Sequence, residues 1–310
     1  MDRSSKIYVA GHKGMVGSAI VRRLSDLGYN NIVVRTHEEL DLLRQDKVEE
    51  FFSKEKPEYV FLAAAKVGGI GANSAALADF MYENMMMEMN VIHSAFIHGV
   101  KKLEFLGSSC IYPREAPQPI KEEYLLTGAL EKTNEGYAVA KISGLKYCEF
   151  LNMQYGTDYI SVMPTNLYGP NDNYDLERSH VLPALIRRFH EAKENNLPEV
   201  VCWGDGSPLR EFLYVDDLAD LCVFLMNNYS GNETVNAGCG KELTIKELTE
   251  MVAEIIGYEG IIKWDTSKPN GTPRKLLDIS KASGMGWTYK TELYDGITKT
   301  YECYKESVNY

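Results

Sequence analysis

The sequence predicts an α/β protein with a doubly wound, parallel, Rossmann-type sheet and a smaller C-terminal α/β lobe. Short β-rich runs alternate with helical patterns through the first half of the chain, which is typical of parallel strands joined by right-handed crossovers. The runs are continuously apolar, as expected of strands that helices cover on both faces. A glycine-rich turn follows the first run and opens a helix, where such folds place a phosphate-binding loop.

The predicted elements follow in a regular order. The β-rich runs predict strands over 6–10, 31–35, 59–65, 102–108 and 159–164, and the helical patterns predict helices near 14–27, 46–54, 79–98 and 135–155. Beyond residue 170, loops rich in Asn, Asp, Pro and Gly separate isolated helices and short strands. We therefore expect a dinucleotide-binding domain over 1–170 and a substrate-binding lobe over 171–310, with an approximate boundary and segments that can interleave.

Composition and charge exclude several classes of function. The chain of 310 residues can form two domains, and its formal net charge of −11 repels nucleic acid and anionic membranes. No signal-peptide pattern and no apolar stretch of about 20 residues is visible. The six cysteines are scattered without metal-like spacing, which suits a reducing cytoplasm. We expect a cytoplasmic protein with no metal site and with neither nucleic acid nor a membrane as partner.

The glycine-rich turn is a candidate cofactor site, formed by Gly11, His12, Lys13, Gly14, Met15, Val16 and Gly17. Its glycines allow a tight turn and the close approach of a pyrophosphate, whose charge the N–H groups of the helix start stabilise. The G-x-x-G-x-x-G spacing differs from the G-x-G-x-x-G of many dehydrogenases, and a glycine triplet alone is also compatible with a simple turn. The position after the first strand favours the cofactor site.

The end of the second strand distinguishes NAD from NADP. NAD binders usually place an acidic residue there to hold the ribose 2′-hydroxyl, whereas this strand ends in Val34, Arg35 and Thr36. Arg35 can pair with a 2′-phosphate, and Lys13 can reach the same group. The alternative is that both are solvated surface cations; we expect NADP(H).

Three residues form a candidate catalytic triad. Tyr137 and Lys141 lie four positions apart in a predicted helix, so that they share a face and the cation can lower the pKa of the phenol. Such pairs also occur by chance. Ser108 follows a predicted strand, at the sheet edge where α/β folds bind ligands. The three residues together predict ketone reduction with Tyr137 as the proton donor.

This triad resembles that of the extended short-chain dehydrogenase/reductases, and further segments resemble the GDP-L-fucose synthases among them over nearly the whole chain. The segments are LAAAKVGGI (62–70), FLGSSCIYP (105–113), MPTNLYGP (163–170), SHVLPALIRRFHEA (179–192) and WGDGSPLREFL (203–213). The resemblance implies NADPH-dependent epimerisation of GDP-4-keto-6-deoxy-D-mannose at C3 and C5, followed by reduction at C4. It implies that Tyr137 is the general acid/base, that Lys141 binds the nicotinamide ribose, and that Ser108 binds the reacting oxygen. It also implies a homodimer that pairs through two helices per subunit.

The same resemblance assigns the epimerase residues and the ligand contacts. It makes Cys110 the base and His180 the acid, although alone such residues are more often a buried hydrophobe and a structural histidine. It implies cofactor contacts at Leu106, Gly107, Lys141, Pro164, Thr165, Asn166, Leu167 and His180, and substrate contacts at Ser108, Asn166, Arg188, Trp203, Arg210 and Asn270. Without the resemblance, we would expect Arg188 to be a solvated cation on a helix and Trp203 to be a core residue. This chain has Asn270 where some members of the family carry Asp, which puts the predicted substrate contact of Asn270 in doubt.

Two other functions compete with this interpretation. One is a related reductase or epimerase for another GDP-4-keto sugar, such as a heptose, because the residue types near the sugar would be similar. The other is a non-catalytic NADP-sensing protein that keeps the fold. The intact set of Ser108, Tyr137 and Lys141 disfavours the second.

Overall fold

A computed structural model describes residues 1–176, 179–268 and 270–308. The strands are β1 (Ile7–Ala10), β2 (Ile32–Val33), β3 (Tyr59–Leu62), β4 (Lys102–Leu106), β5 (Tyr159–Pro164), β6 (Asn166–Tyr168), β7 (Glu199–Trp203), β8 (Leu209–Arg210), β9 (Phe212–Tyr214), β10 (Val235–Ala237), β11 (Leu243–Thr244), β12 (Ile261–Asp265) and β13 (Arg274–Lys275). The helices are α1 (Met15–Asp26), α2 (Gln45–Glu55), α3 (Ile70–Ala75), α4 (Leu77–Ile97), α5 (Glu135–Tyr155), α6 (Val181–Glu194), α7 (Val215–Asn228), α8 (Ile245–Ile256), α9 (Ser280–Gly284) and α10 (Leu293–Val308).

The described residues form a six-stranded parallel sheet in the order β10-β5-β4-β3-β1-β2. The predicted doubly wound fold is confirmed. The chain moves from β1 outward to β2 and then returns to place β3 on the other side of β1, so that the strand order reverses between β1 and β3. In open α/β sheets, ligands bind at the carboxyl end of such a switch point. None of the helices formed by the described residues has the length and apolar character needed to span a bilayer.

The continuous apolar runs are explained by cores on both faces of the sheet. In β3, Val60 and Leu62 lie in the core under α2, α4 and α5, whereas Phe61 lies in the opposite core under α1 and α7. All three side chains are fully buried. Successive side chains of a strand point to opposite faces, so a strand covered on both sides needs apolar residues at every position.

The strands end earlier than the apolar runs predict. The predicted strands over 31–35, 59–65 and 102–108 end at Val33, Leu62 and Leu106. The residues that follow leave the sheet at its carboxyl edge, where Ala63 still bonds through its N–H to the Ala10 carbonyl at 3.1 Å. Residues predicted as strand ends therefore lie in the loops of the ligand edge.

The C-terminal half has its own core, and it also returns to the first sheet. Leu185 and Phe189 of α6 pack with Val252 of α8 in a third apolar cluster. However, β10 extends the large sheet, pairing Val235 with Val162, and α7 packs in the core beneath α1. A single cut at residue 170 does not describe this sheet, because segment 215–237 packs with the large sheet and extends it. The division into two lobes stays a proposal, with interleaved segments.

Glu104 is an acidic residue in the middle of the central strand β4. Its side chain is fully buried. Burial raises the pKa of Glu104 well above its ordinary value, and a hydrogen bond with the Cys222 thiol and the charge of Lys102 oppose this only in part. The folded protein therefore holds this carboxyl in its neutral form at pH values where the unfolded chain ionises it.

We expect Glu104 to make the protein less stable as the pH rises. Above the pKa of an unfolded Glu, about 4.3, the unfolded chain loses the proton that the folded chain keeps. The free energy of unfolding then falls by up to about 1.4 kcal/mol per pH unit. Urea unfolding of Glu104→Gln should show a shallower fall between about pH 5 and pH 7. Equal pH dependence in both proteins would contradict this explanation.

Candidate active site

The glycine-rich turn lies at the switch point and fits a pyrophosphate. Gly11 has φ +85°, and a Cβ at this position would lie 2.7 Å from the Cα of Ala64, which follows β3. A Cβ on Gly17 would lie 2.2 Å from the Gly11 carbonyl oxygen. The turn is closed by the Gly14 N–H, which donates to that carbonyl at 3.0 Å. Gly14 precedes α1 and provides no side-chain cap, which leaves the first N–H groups of the helix for an anion.

The other residues predicted to bind the cofactor lie along the same edge of the sheet. Leu106 is the last residue of β4, and Gly107 follows it. The end of β5 leads directly into β6 through Pro164, Thr165, Asn166 and Leu167. The Thr165 N–H donates to the Ala237 carbonyl at 2.9 Å. A Cβ on Gly107 would lie 2.2 Å from the Met163 side chain. Their contacts with a dinucleotide stay predictions.

Arg35 lies beyond β2, with its guanidinium already engaged. Its Nη2 is 2.6 Å from Glu55 Oε1, and its Nη1 donates to the Val34 carbonyl at 2.7 Å. The guanidinium carbon is 5.4 Å from the centre of the Phe51 ring. Glu55 lies at the end of α2 and was not anticipated from the sequence. A 2′-phosphate at this position would share Arg35 with Glu55 or replace it.

Lys141 is held in a buried position beside Tyr137. Its Nζ donates to the Leu106 carbonyl at 2.9 Å and lies 3.0 Å from Glu88 Oε1. The same Nζ lies 5.8 Å from the centre of the Tyr137 ring. The Lys141 and Glu88 side chains are 2% and 0% exposed. The bond to Leu106 ties α5 to the end of β4, so that the structure brings the lysine to the predicted site.

Tyr137 and Ser108 meet at the end of β4. The half-buried phenol is hydrogen-bonded to the Ser108 hydroxyl. Burial raises the pKa of Tyr137, the charges of Cys110 and Glu88 raise it further, and the bond to Ser108 opposes them. The predicted lowering of the Tyr137 pKa by Lys141 is not the net effect, because burial of the phenol is the largest cause of the shift. A phenol with a raised pKa keeps its proton at neutral pH, which suits a proton donor.

Glu88 is a residue of the candidate site that the sequence analysis did not predict. It lies on α4, and burial raises its pKa while the Lys141 ammonium partly opposes this. Gly144 on the facing helix leaves room for it, because a Cβ there would lie 2.8 Å from Glu88 Oε2. The sequence feature that could have identified Glu88 is its position as the one acidic residue inside the run MMMEMN (85–90). A buried charge in an apolar helix requires a partner.

Cys110 lies two residues after Ser108, in the short 3-10 helix Ser109–Ile111. Its N–H donates to the Ser108 hydroxyl oxygen at 3.2 Å. Its half-buried sulfur accepts from Asn134 Nδ2 at 3.2 Å and from Lys275 Nζ at 3.6 Å. The alternative that Cys110 is a buried hydrophobe does not fit these polar contacts.

His180 precedes α6 and lies near the same lysine. The His180 side chain is exposed at the surface, but many protein atoms lie around its ring and reduce its contact with water. This desolvation lowers the pKa of His180, and the charge of Lys275 lowers it further. The Lys275 ammonium therefore contacts the Cys110 sulfur and also acts through its charge on His180.

The predicted substrate residues form two groups. The Arg188 guanidinium lies 5.7 Å from the Trp203 ring centre, and Trp203 is 56% exposed, so the core alternative is wrong for it. Arg210 pairs in register with Lys275 between β8 and β13, and burial lowers the pKa of its guanidinium. Arg188 and Trp203 meet at the end of β7, whereas Arg210 lies in β8 beside the lysine that contacts Cys110.

Two predicted substrate residues also hold the protein backbone. Asn270 Oδ1 accepts from the Asp205 N–H at 3.0 Å, so that its amide oxygen is used to hold the loop after Trp203. Asn166 Nδ2 donates to the Glu211 carbonyl at 2.8 Å, which joins β6 to β9. Each has a structural role beside the predicted contact.

Comparison with known proteins identifies the family. Residues 7–238 match the NAD dependent epimerase/dehydratase family. The chain belongs to this family. A putative GDP-L-fucose synthase 2 of Arabidopsis thaliana is 64% identical over 99% of this chain and 94% of the relative, and the GDP-L-fucose synthase of Escherichia coli K12 is 51% identical over 97% of each. A GDP-mannoheptose C4 reductase from Campylobacter jejuni, solved with NADP bound, is 45% identical with a TM-score of 0.91, covering 98% of this chain and 99% of that one.

These comparisons confirm the resemblance that the sequence motifs indicated. They cover almost the whole chain, including the segment beyond residue 238 that the family match does not reach. The candidate site contains two sets of groups with different chemistry. One set, Ser108, Tyr137 and Lys141, can protonate an oxygen, and the other, Cys110 with His180, can move protons on carbon.

Proposed function

We propose that this protein is an NADPH-dependent enzyme that converts GDP-4-keto-6-deoxy-D-mannose to GDP-L-fucose by epimerisation at C3 and C5 and reduction at C4. The observation that carries this proposal is the position of Cys110. Its N–H bonds to Ser108, whose hydroxyl bonds to Tyr137, so that a carbon base and a proton donor for oxygen adjoin each other. The high identity to enzymes named GDP-L-fucose synthase supports the same function.

In the reduction, Tyr137 supplies the proton to the C4 oxygen. The bound NADPH supplies the hydride. Ser108 donates a hydrogen bond to the same oxygen and orients it, as developing negative charge requires. Lys141, fixed by Leu106 and Glu88, orients the nicotinamide ribose beside Tyr137.

In the epimerisation, the C4 ketone acidifies the protons on C3 and C5. Cys110 removes a proton from carbon, and the electron pair moves to the C4 oxygen, where Ser108 and Tyr137 stabilise the enolate. His180 returns a proton to the opposite face of the carbon. The same oxygen-binding pair therefore serves both halves of the reaction.

The GDP-sugar is held by residues of the C-terminal half. Arg210 suits a diphosphate, since guanidinium pairs with phosphate oxygens, and its register beside Lys275, whose ammonium contacts Cys110, supports this contact. Arg188 and the exposed Trp203 ring provide a charge and an aromatic surface for the nucleotide. Asn270 supports this surface through Asp205.

Arg35 should select NADPH over NADH. Its exchange for Asp would place a carboxylate beside Glu55, which repels a 2′-phosphate and favours a free 2′-hydroxyl. An ion pair of this kind contributes on the order of 1.5–3 kcal/mol, roughly ten- to a hundredfold. Fluorescence titration of Arg35→Asp should show a reversed or lost preference. Equal affinity of the unchanged protein for both cofactors would contradict the assignment.

The main alternative is a C4 reductase or epimerase for a GDP-4-keto-heptose, and the likeness to the Campylobacter jejuni enzyme favours it. The two functions differ in the sugar that is turned over. Each substrate should be incubated with the protein and NADPH, and the products identified by NMR. We expect GDP-L-fucose from the 6-deoxyhexose and much slower turnover of the heptose. The reverse order would establish the alternative.

We propose that the enzyme is a homodimer joined through α4 and α5. These helices pack side by side and expose apolar side chains, among them Tyr82 at 63%, Phe150 at 55% and Met153 at 67%. A contiguous exposed apolar surface usually marks an interface. Light scattering should give twice the chain mass, and Phe150→Glu should shift it toward one chain.

We also propose a cytoplasmic location. All six cysteines are free in the structure, including the fully buried Cys148 and Cys222. Free thiols are typical of a reducing compartment. Fractionation of cells that produce the protein would test this location.

A further inference from the structure

Lys275 is a half-buried lysine whose ammonium faces a sulfur atom. Its Nζ lies 3.6 Å from Cys110 Sγ. Among the residues that the structure describes, no carboxylate lies within 4.0 Å of it. The preceding residue of β13, Arg274, instead pairs with Glu242 at 2.6 Å. Partly buried ammonium groups usually have an anionic partner, and the sulfur occupies that position here.

Asn134 is a second donor to the same sulfur. It occupies the residue before α5, where an Asn side chain normally accepts hydrogen bonds from the first N–H groups of the helix. Here the side chain makes no cap hydrogen bond. Its Nδ2 donates to Cys110 Sγ at 3.2 Å instead. Two donors, one of them charged, therefore converge on one thiol from β13 and from the start of α5.

We infer that Lys275 and Asn134 are positioning residues that hold the Cys110 sulfur in place and assist it, through the adjacent positive charge, in accepting a proton from carbon. The inference rests on the proposed function, in which Cys110 is the base. The thiolate is the form that accepts the proton, and a hydrogen-bonding cation favours the anion. In this step the C–H bond breaks, the S–H bond forms, and the electron pair moves to the C4 oxygen of the substrate.

The ionisable groups around the sulfur agree with this role. Lys275 faces it from β13, and Tyr137 faces it from α5, with a raised pKa that keeps the phenol neutral. His180 precedes α6 and is close enough to Lys275 for the lysine charge to act on its pKa. The Lys275 ammonium that contacts the sulfur also helps to lower the pKa of His180, which makes a protonated His180 a stronger donor. One lysine thus favours both proton transfers.

The test measures the alkylation of Cys110 by iodoacetamide against pH, followed by mass spectrometry of the Cys110 peptide. Lys275→Met keeps a long, unbranched side chain at this position but removes its positive charge. At neutral pH it should slow alkylation about tenfold, and it should displace the pH profile of the reaction to higher pH. Lys275→Arg should restore most of the rate. Asn134→Ala should slow alkylation about two- to threefold, since a neutral hydrogen bond is weaker than a charged one.

Two internal controls distinguish this effect from a folding defect. Arg274→Met changes the neighbouring residue of β13 and should leave the profile of Cys110 unchanged. In every variant the buried Cys148 and Cys222 should stay unreactive, because only unfolding exposes them. A Lys275→Met protein that keeps these thiols protected and alkylates at Cys110 with the original rate and profile would overturn the inference. The assay needs no sugar, so this outcome is separate from a failure of the proposed function, which deuterium exchange at C3 and C5 tests.

Discussion

The Tyr137→Phe protein should lose about 10²–10⁴-fold in C4 reduction while it keeps its fold and its cofactor affinity. The substitution removes only the hydroxyl. The C4 oxygen then receives no proton from the group that the structure places beside Ser108. Stopped-flow measurement of NADPH oxidation with a 4-keto substrate gives the rate, and fluorescence titration gives the affinity.

Tyr147→Phe is a matched control for this experiment. Tyr147 lies on the same helix, and its hydroxyl is 2.7 Å from His93 Nδ1 of α4, away from Ser108. Its loss should leave reduction nearly unchanged. Near-normal reduction by Tyr137→Phe would show that another group donates the proton. A parent protein that binds NADPH but oxidises none with either sugar would favour the NADP-sensing alternative.

The Cys110→Ser protein should lose the exchange of substrate protons at C3 and C5 with solvent. Serine has nearly the same volume, but its hydroxyl is a far weaker acid than a thiol of pKa about 8.5, so the conjugate base is scarce at neutral pH. The triad is untouched, and we expect slow C4 reduction to an unepimerised product. NMR in deuterated water follows both events in one sample.

Cys303→Ser controls for the general effect of losing a thiol. Cys303 lies on α10, where the structure gives it no contact with the triad, and exchange should continue at the parent rate. Undiminished exchange in Cys110→Ser would show that a different residue is the base. A collapse of C4 reduction together with exchange would show that the two halves of the site are not separable.

The fold and the triad could be predicted from the sequence because their signals are local. Apolar runs such as residues 59–62 identify strands buried on both faces, and the spacing of Tyr137 and Lys141 places them on one helix face. The return of β10 to the large sheet was not anticipated. A strand of three residues carries little pattern, and its partner Val162 lies far away in the chain.

The residues that tune the site could not be predicted, since their partners are distant in the sequence. Lys275 is separated from Cys110 by 165 positions. The pairing of β13 with β8 and the bonds of the following residues to segment 118–120 hold it there. Glu88 meets Lys141 because α4 packs against α5. Arg35 was identified as a phosphate ligand, but its pairing with Glu55 follows from the end of α2. Motifs therefore predicted the candidate reacting groups, whereas tertiary packing determines the charge environment of those groups.

The most direct test of the proposed function is the isotope pattern of the product formed from GDP-4-keto-6-deoxy-D-mannose and unlabelled NADPH in deuterated water. Protons moved by Cys110 and His180 exchange with solvent, whereas the hydrogen added at C4 comes from the cofactor. We predict GDP-L-fucose that carries deuterium at C3 and C5 and protium at C4. A C4-reduced product with protium at C3 and C5, or substrate that is exchanged but never reduced, would contradict a single site that performs both reactions.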